Sequence, residues 1–182
     1  MTLKELFWHC LNAKYIKVGE DGDYAVERHG DTLLLLFQWS RGKRDWQNNL
    51  DFPAKPYCRM DDLWFCHRGF LRVWKSMRDS VERLVARTLD AAPEIRKISC
   101  VGFSHGAALS VFATEDMAYL YGERLTVNGY GFGCPRVLWG LVPMAVKKRF
   151  EHFLVIRNVP DIVTHLPPSA LGFRHVGSIL EI

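Results

Sequence analysis

The stretch ISCVGFSHGAALSVF, residues 98–112, decides the fold, because an apolar run passes through a glycine-flanked serine directly into a second apolar run. The first six residues have the length and composition of a buried strand, and the alanine-rich continuation suits a buried helix. Gly102, Ser104 and Gly106 match the pattern Gly-x-Ser-x-Gly, in which a serine stands on a tight turn between strand and helix. Both glycines give room where strand and helix cross, so the sequence predicts an outward-facing Ser104 hydroxyl.

Around this turn, an antiparallel β start is followed by strands that alternate with helices, which predicts an α/β layered domain with a mixed sheet. The segment from Arg41 to Cys66 lacks periodicity and contains two prolines, which indicates an irregular surface loop. The expected strands are Tyr15 to Val18, Tyr24 to Arg28, Thr32 to Trp39, Leu125 to Phe132 and His152 to Arg157, and the expected helices are Phe70 to Leu89 and Val142 to Arg149.

Length and composition indicate one globular domain that spans residues 1–182. The chain is 48% hydrophobic, and its 24 Lys and Arg against 20 Asp and Glu give a net charge of +4. These basic residues are spread along the chain, whereas proteins that bind nucleic acid concentrate them in a patch, so no nucleic-acid partner is expected.

Membrane insertion and export are not indicated either. The longest clean apolar run, Leu33 to Phe37, is far shorter than the roughly 20 residues of a membrane-spanning helix, and Leu6 to Leu11 is too brief and too polar for a signal peptide. Five cysteines with no pair at redox or metal-binding spacing imply no disulfide framework. We therefore expect a cytoplasmic location. The seven histidines form no pair at ligand spacing, so neither a metal nor another cofactor is expected.

Four separated parts of the sequence resemble the class 3 (fungal-type) lipase family of α/β-hydrolases. The resemblance implies an α/β-hydrolase-like three-layer sandwich with a mixed, mostly parallel central sheet. It implies Ser104 as nucleophile, Asp161 as the acid of a catalytic triad and Ser40 as an oxyanion-hole residue, although Gln38-Trp39 stand where the family usually has Arg-Gly. The second oxyanion amide should come from His105, the residue after the nucleophile. The matching parts are 37–52 (FQWS, RDW and LDF), 67–70 (HRGF), 102–106 (GFSHG) and 131–177 (GFGCPRV, NVPDIVTHLPP and FRHVG).

The resemblance assigns no histidine cleanly as the general base, because the family's catalytic histidine lies well past the position that His175 matches. Three explanations stay open: a C-terminal segment beyond Ile182 carries the base, His175 has taken over the role, or the protein is no longer a hydrolase. Only 18 residues, which include prolines and show no helical pattern, separate the strand that ends at Arg157 from Val176, so we expect the following strand to return antiparallel and to begin at the active end of the sheet. His175 would then lie near Asp161.

The resemblance therefore implies a serine acylhydrolase, a lipase or carboxylesterase, that cleaves acyl esters or lipids through an acyl-enzyme. The alternative is a catalytically impaired lipase-like module that binds lipid or another protein. The basic and aromatic residues between Arg41 and Cys66 suit transient contact with an anionic lipid surface. A solvated loop whose aromatic side chains pack inward explains the same composition.

Overall fold

A seven-stranded sheet organises the part of the chain that the structure, a computed structural model, describes: residues 1–18, 22–39, 51–59 and 62–182. Its strand order is β1-β2-β3-β6-β7-β9-β11, and a smaller sheet has the order β10-β8-β5-β4. The strands are β1 Ile16–Val18, β2 Gly22–His29, β3 Thr32–Phe37, β4 Ala54–Arg59, β5 Asp62–His67, β6 Lys97–Phe103, β7 Thr126–Phe132, β8 Leu138–Trp139, β9 Phe153–Arg157, β10 Phe173–Arg174 and β11 Ser178–Glu181. The helices are α1 Leu3–Asn12, α2 Arg68–Ala91, α3 His105–Tyr121 and α4 Met144–Arg149, with 3-10 turns at Ile162–His165 and Ser169–Leu171.

The large sheet is mixed and mostly parallel, as predicted. Strands β3, β6, β7, β9 and β11 run parallel to one another, and the β1–β2 and β2–β3 pairings of this sheet are antiparallel. Leu33 to Phe37 of β3 are fully buried, which explains why this strand is apolar on both faces. The carboxyl ends of the parallel strands share one edge, where side chains from different strands can meet.

Helices cover both faces of the large sheet, which gives the three-layer sandwich of an α/β-hydrolase. On one face, α2 and α3 pack against alternate residues of β3 and β6, such as Leu35 and Cys100. On the other face, Leu6 and Cys10 of α1 pack against the intervening residues, such as Leu34. The fold class is therefore confirmed, whereas the single-domain organisation stays a prediction. No helix in the described ranges is long and apolar enough to cross a membrane.

The N-terminal helix α1 corrects the expectation that the chain starts with antiparallel β structure. Thr2 and Glu5 form a reciprocal capping box, in which each side chain accepts a hydrogen bond from the other residue's backbone amide. Leu6 and Cys10 lie four residues apart and are buried on one side of the helix. A cap and a short apolar stripe thus form a helix where the sequence analysis expected none.

Strands β4 and β5 correct the prediction of an irregular loop from Arg41 to Cys66, as far as that segment is described. Ala54–Arg59 pairs antiparallel with Asp62–His67, and Trp64 and Tyr57 are buried beneath the hairpin. Residues 40–50 and 60–61 lie outside the described residues, so the predictions made for them are not addressed.

A buried polar network fastens this hairpin to the helices. The Tyr57 hydroxyl donates to the Asp116 carboxylate at 2.7 Å, and Trp74 Nε1 donates to the same carboxylate at 3.0 Å. These three side chains come from β4, α3 and α2, and all are buried. Burial, followed by the charge of Asp116, raises the pKa of Tyr57 far above its ordinary value, so its hydroxyl stays a donor.

Candidate active site

Ser104 stands at the junction of β6 and α3 in a strained backbone conformation, with φ 54° and ψ −117°. It is the only non-glycine residue with positive φ among residues 1–18, 22–39, 51–59 and 62–182. Its amide donates to Phe132 O at 2.9 Å and its carbonyl accepts from Ala107 N at 3.0 Å, so the turn is held from both sides. The side chain makes no capping hydrogen bond to α3 and is partly exposed. This is the strained serine turn that the sequence predicted.

Gly102 and Gly106 are required by close backbone contacts rather than by unusual dihedral angles. A Cβ on Gly102 would lie 2.1 Å from Gly106 O, and a Cβ on Gly106 would lie 2.3 Å from Phe37 O. These neighbours are main-chain atoms, so relieving either clash requires moving an element. The two glycines therefore let β6, α3 and β3 approach closely enough to place Ser104 at the sheet edge.

Asp161 lies at the same edge, after the end of β9. Its Oδ1 accepts from Val163 N at 3.0 Å and so caps the 3-10 turn that follows. Its Oδ2 would lie 3.1 Å from a Cβ on Gly133, a point that is also 3.4 Å from the ring of Phe103. Because Phe103 directly precedes Ser104, the predicted acid and nucleophile lie at the same edge of the sheet, after β9 and β6, the two strands that flank β7.

Gly133 is a site residue to which the sequence analysis gave no role of its own. Its φ of +56° is easily adopted only by glycine, and its amide donates to Ile156 O at 2.8 Å. A side chain there would also crowd the Asp161 carboxylate. Gly133 lies in GFGCPRV, one of the segments that resemble the lipase family, but the reason for a glycine at this position is seen only in its contacts with β9 and Asp161.

His105 opens α3, and its ring turns into the core rather than towards the serine hydroxyl. The side chain is 3% exposed, and its ring packs edge-on against Phe70 at 5.5 Å between centroids. Backbone amides in the first turn of a helix point out of its N-terminus, where the helix dipole also favours negative charge. The position suits the predicted oxyanion amide of His105. The other predicted oxyanion residue, Ser40, lies outside the described residues.

The structure gives His175 surroundings that do not suit a general base. Since a carbonyl can only accept, His175 Nε2 carries the proton and donates to Thr164 O at 3.0 Å. Its Nδ1 is buried without a hydrogen-bond partner in the described part of the chain. Burial, reinforced by the charges of Arg136 and Arg157, lowers the pKa of this histidine to about 4. The ring is therefore neutral and bonded to a loop carbonyl rather than to Asp161 or Ser104.

The direction of the last strand, β11, explains the position of His175. The expectation of an antiparallel return was wrong, because β11 pairs parallel with β9. The chain must therefore cross back to the amino edge of the sheet before β11 begins, and His175 lies on that crossing. Gly177, just after it, passes so close to Phe153 that a Cβ would lie 2.1 Å from Phe153 O.

The other histidines also have different surroundings. His165 Nε2 lies 3.3 Å from Val159 O, and His67 accepts a hydrogen bond from Phe70 N at the start of α2. Within the described ranges, which include all seven histidines, none forms a hydrogen bond with Ser104 Oγ or with the Asp161 carboxylate. The described part thus places Ser104 and Asp161 at one edge of the sheet, and it brings no histidine into hydrogen-bond contact with either side chain.

An ion pair that sequence reasoning missed fixes the chain just after the undescribed segment. The Asp51 carboxylate accepts from Arg68 Nε at 2.8 Å and from Arg72 at 3.2 Å, and its backbone carbonyl accepts from Gly69 N. The hydrogen bond from Arg68 holds the pKa of Asp51 below its ordinary value. Asp51 and Arg68 both lie in segments that resemble the lipase family, but they are 17 positions apart, and only the folded structure shows that they form an ion pair.

Comparison with known proteins agrees with this geometry. The family model described as Lipase (class 3) matches residues 34–171. A lipase of Rhizomucor miehei is 28% identical over 195 residues, which cover 93% of this chain and 50% of the relative. A secreted mono- and diacylglycerol lipase of Fusarium solani is 26% identical over 159 residues, which cover 87% of this chain and 46% of that protein. The chain thus spans about half the length of the curated relatives it matches.

Solved structures show the same similarity. The Rhizomucor miehei triacylglyceride lipase has a TM-score of 0.74 and 26% identity, over 93% of this chain and 66% of that one. A triacylglycerol lipase whose catalytic centre is formed by a serine protease triad has a TM-score of 0.71 and 26% identity, over 93% and 66% of the two chains. The family match covers well over half of the sequence and includes Ser104 and Asp161. The chain belongs to the class 3 lipase family.

Proposed function

We propose that the protein is a serine acylhydrolase, a lipase or carboxylesterase that cleaves acyl esters or lipids through an acyl-enzyme intermediate. The observation that carries this proposal is the strained conformation of Ser104 at the β6–α3 junction. Strain of this kind persists in a fold only where the surroundings enforce it, and it concentrates at functional sites. A serine on such a turn presents its hydroxyl beside the N-terminus of a helix, which is where an acyl-transfer nucleophile must stand.

The proposed chemistry follows from the placement of these groups. Ser104 Oγ attacks the ester carbonyl carbon while its proton passes to a histidine base, and the carbonyl oxygen becomes an oxyanion. The backbone amide of His105, with Ser40 as the second expected donor, stabilises that oxyanion. Collapse expels the alcohol, which takes the proton from the base. Water activated by the same base then releases the carboxylic acid and restores the serine.

Asp161 is part of the proposed triad, whereas His175 is not. Asp161 lies where it can orient an imidazole, because its Oδ2 faces the region between Gly133 and Phe103. His175 is not part of the proposed triad, since its Nε2 is bonded to Thr164 O. In the family the base follows the segment that His175 matches, so we propose that it lies beyond Ile182.

Lipids or lipid-like esters are the proposed substrates. The relatives include acylglycerol lipases and phospholipases A1 of plants, so both glycerolipid classes are candidates. Transient contact with a lipid surface through the segment from Arg41 to Cys66 also remains a proposal, since much of that segment lies outside the described residues.

A fluorophosphonate probe tests the nucleophile directly. We expect it to label the wild-type protein and Ser169→Ala, a control at an exposed serine, but not Ser104→Ala. Hydrolysis of p-nitrophenyl butyrate should depend on Ser104 in the same way, and it should require the gene product read beyond Ile182. Labelling that persists in Ser104→Ala would contradict the proposal.

The alternative is a lipase-like module that binds lipid or protein without catalysis. The absence of a described histidine bonded to Ser104 favours it. A protein of this kind would bind lipid vesicles equally well with Ser104 or with alanine at that position, and it would show no serine-dependent turnover even when expressed from the complete gene. Vesicle binding and serine-dependent turnover, measured together, therefore distinguish the acylhydrolase from the binding module.

We further propose a reducing, cytoplasmic setting. Cys10, Cys66, Cys100 and Cys134 are free and buried, and burial raises the pKa of the Cys10 thiol to about 11. Such thiols are poor nucleophiles and form no disulfide framework. Fractionation of cells that express the tagged protein tests this proposal, and recovery mainly from the medium would contradict it.

A further inference from the structure

A histidine of α1 and a glutamate and a histidine of β2 meet on the face of the sheet that α1 covers. His9 Nδ1 lies 2.8 Å from Glu27 Oε2, and His29 Nε2 lies 3.4 Å from the same oxygen. The two imidazole rings are 4.3 Å apart between centroids and inclined at 66°. One ligand atom from each side chain falls within 4.8 Å of the others. Two ring nitrogens and one carboxylate oxygen therefore converge on a single small volume.

The fold explains why these three side chains converge. Side chains alternate along a strand, so Ala25, Glu27 and His29 of β2 all point to one face. Ala25 packs in the core cluster that includes Leu6 and Cys10 of α1, which identifies that face as the one under the helix. His9 is adjacent to Cys10 on α1 and reaches the two polar residues at the edge of this contact. Sequence spacing predicted no metal site, because the histidines lie on different elements.

The three groups match the ligands that zinc prefers. Zinc takes imidazole nitrogen and carboxylate oxygen at about 2.0–2.2 Å, and two ligands of a tetrahedral site are then about 3.3 Å apart. The observed nitrogen–oxygen separations of 2.8 and 3.4 Å bracket that value, and all three ligand atoms lie within 4.8 Å of one another, so zinc binding requires the side chains to rotate towards a common centre. The side chains are 18%, 29% and 37% exposed for His9, Glu27 and His29, which leaves access for the ion and for a water as fourth ligand. We propose that His9, Glu27 and His29 bind a zinc ion.

This site is separate from the proposed active site. His29 pairs with Thr32 at the amino end of β3, whereas Phe37 at the other end of that strand lies beside Gly102. The ion would instead join α1 to β2. Phe7 of α1 packs against Phe103 and Phe132, the residues that flank the serine turn, at 5.5 and 4.8 Å between centroids. Zinc would thus link β2 to the helix that covers the back of this turn, away from the proposed reaction.

Titration of the metal-stripped protein with zinc chloride tests the proposal by calorimetry and by thermal unfolding. We expect one saturable site, and a rise of about 5–10 °C in the unfolding midpoint at a hundredfold excess over the dissociation constant. Glu27→Gln and His29→Ala should each weaken binding about 100-fold, because even losing an outer-shell partner of a metal site costs about 10- to 100-fold. His152→Ala, which removes an exposed histidine elsewhere, should leave the affinity unchanged.

Thermal unfolding of each variant without zinc shows whether the variant folds. A variant that shows no unfolding transition is replaced by His9→Gln. Cobalt offers a second readout on the wild-type protein, since visible absorption bands report imidazole and carboxylate ligation independently of any substitution. Binding that is absent, or that is equal in Glu27→Gln, His29→Ala and wild type, would overturn the proposal. Cobalt spectra without nitrogen ligation would do the same.

Discussion

Replacing Ser104 with glycine should leave the protein more stable than replacing it with alanine, the reverse of the usual order. An L residue held at φ 54° and ψ −117° carries about 1–3 kcal/mol of backbone strain, which glycine does not. Glycine in turn loses about 0.5–1 kcal/mol more conformational entropy on folding than alanine does. The difference leaves Ser104→Gly more stable by about 1 kcal/mol, or about 2–4 °C in the unfolding midpoint of a chain of this size.

The comparison isolates the backbone, because both variants lack the Ser104 hydroxyl. Equilibrium unfolding in urea gives the free energies, and equal slopes for the two variants would show that the denatured states are comparable. Ser76 provides a matched control on the exposed side of α2, where Ser76→Ala should be more stable than Ser76→Gly by about 1 kcal/mol. If Ser104→Ala proves as stable as Ser104→Gly, or more so, the strain assigned to this turn is refuted.

Three further substitutions test the surroundings of the site. Gly106→Ala should destabilise the protein by at least about 2 kcal/mol in urea unfolding, although alanine favours helices, because its Cβ would lie 2.3 Å from a carbonyl oxygen of β3. Tyr57→Phe should cost about 1–3 kcal/mol in the same assay, since the buried Asp116 carboxylate loses a donor at 2.7 Å. The hydrogen bond from Arg68 lowers the pKa of Asp51, so its stabilisation is complete above pH about 4 and is lost as the pH falls further. Acid unfolding followed from pH about 6 to about 2 should therefore be steeper for wild type than for Asp51→Asn.

The elements around the serine turn could be predicted because their signals are local. A strand, two glycines and a helix follow one another within residues 98–121, and each is required by geometry over a few positions. The capping pair of Thr2 and Glu5 was a local signal of the same kind, since Ser or Thr three residues before Glu marks a helix start. Helix α1 was therefore predictable from its capping box.

Other features depend on partners that are distant in the sequence. The hairpin of β4 and β5 contains Pro56 at a sheet edge, and its burial comes from contact with α2 and α3 rather than from its own alternation. The direction of β11 depends on pairing with β9, so no local pattern told a parallel return from an antiparallel one. The expected position of His175 beside Asp161 rested on the antiparallel direction, whereas in the fold its Nε2 bonds to Thr164 O.

The conformation of Ser104 bears on the choice between an enzyme and a binding module. A module that only bound lipid or protein would gain stability from glycine at this position, because the strain would vanish while the close packing of β6 and α3 remained. Only a function that uses the hydroxyl gives a reason to keep a side chain at φ 54°. Gly133 supports the same inference, because its missing side chain leaves room for the Asp161 carboxylate beside this turn. The geometry therefore favours the proposal that Ser104 reacts as a nucleophile over the proposal of a binding module.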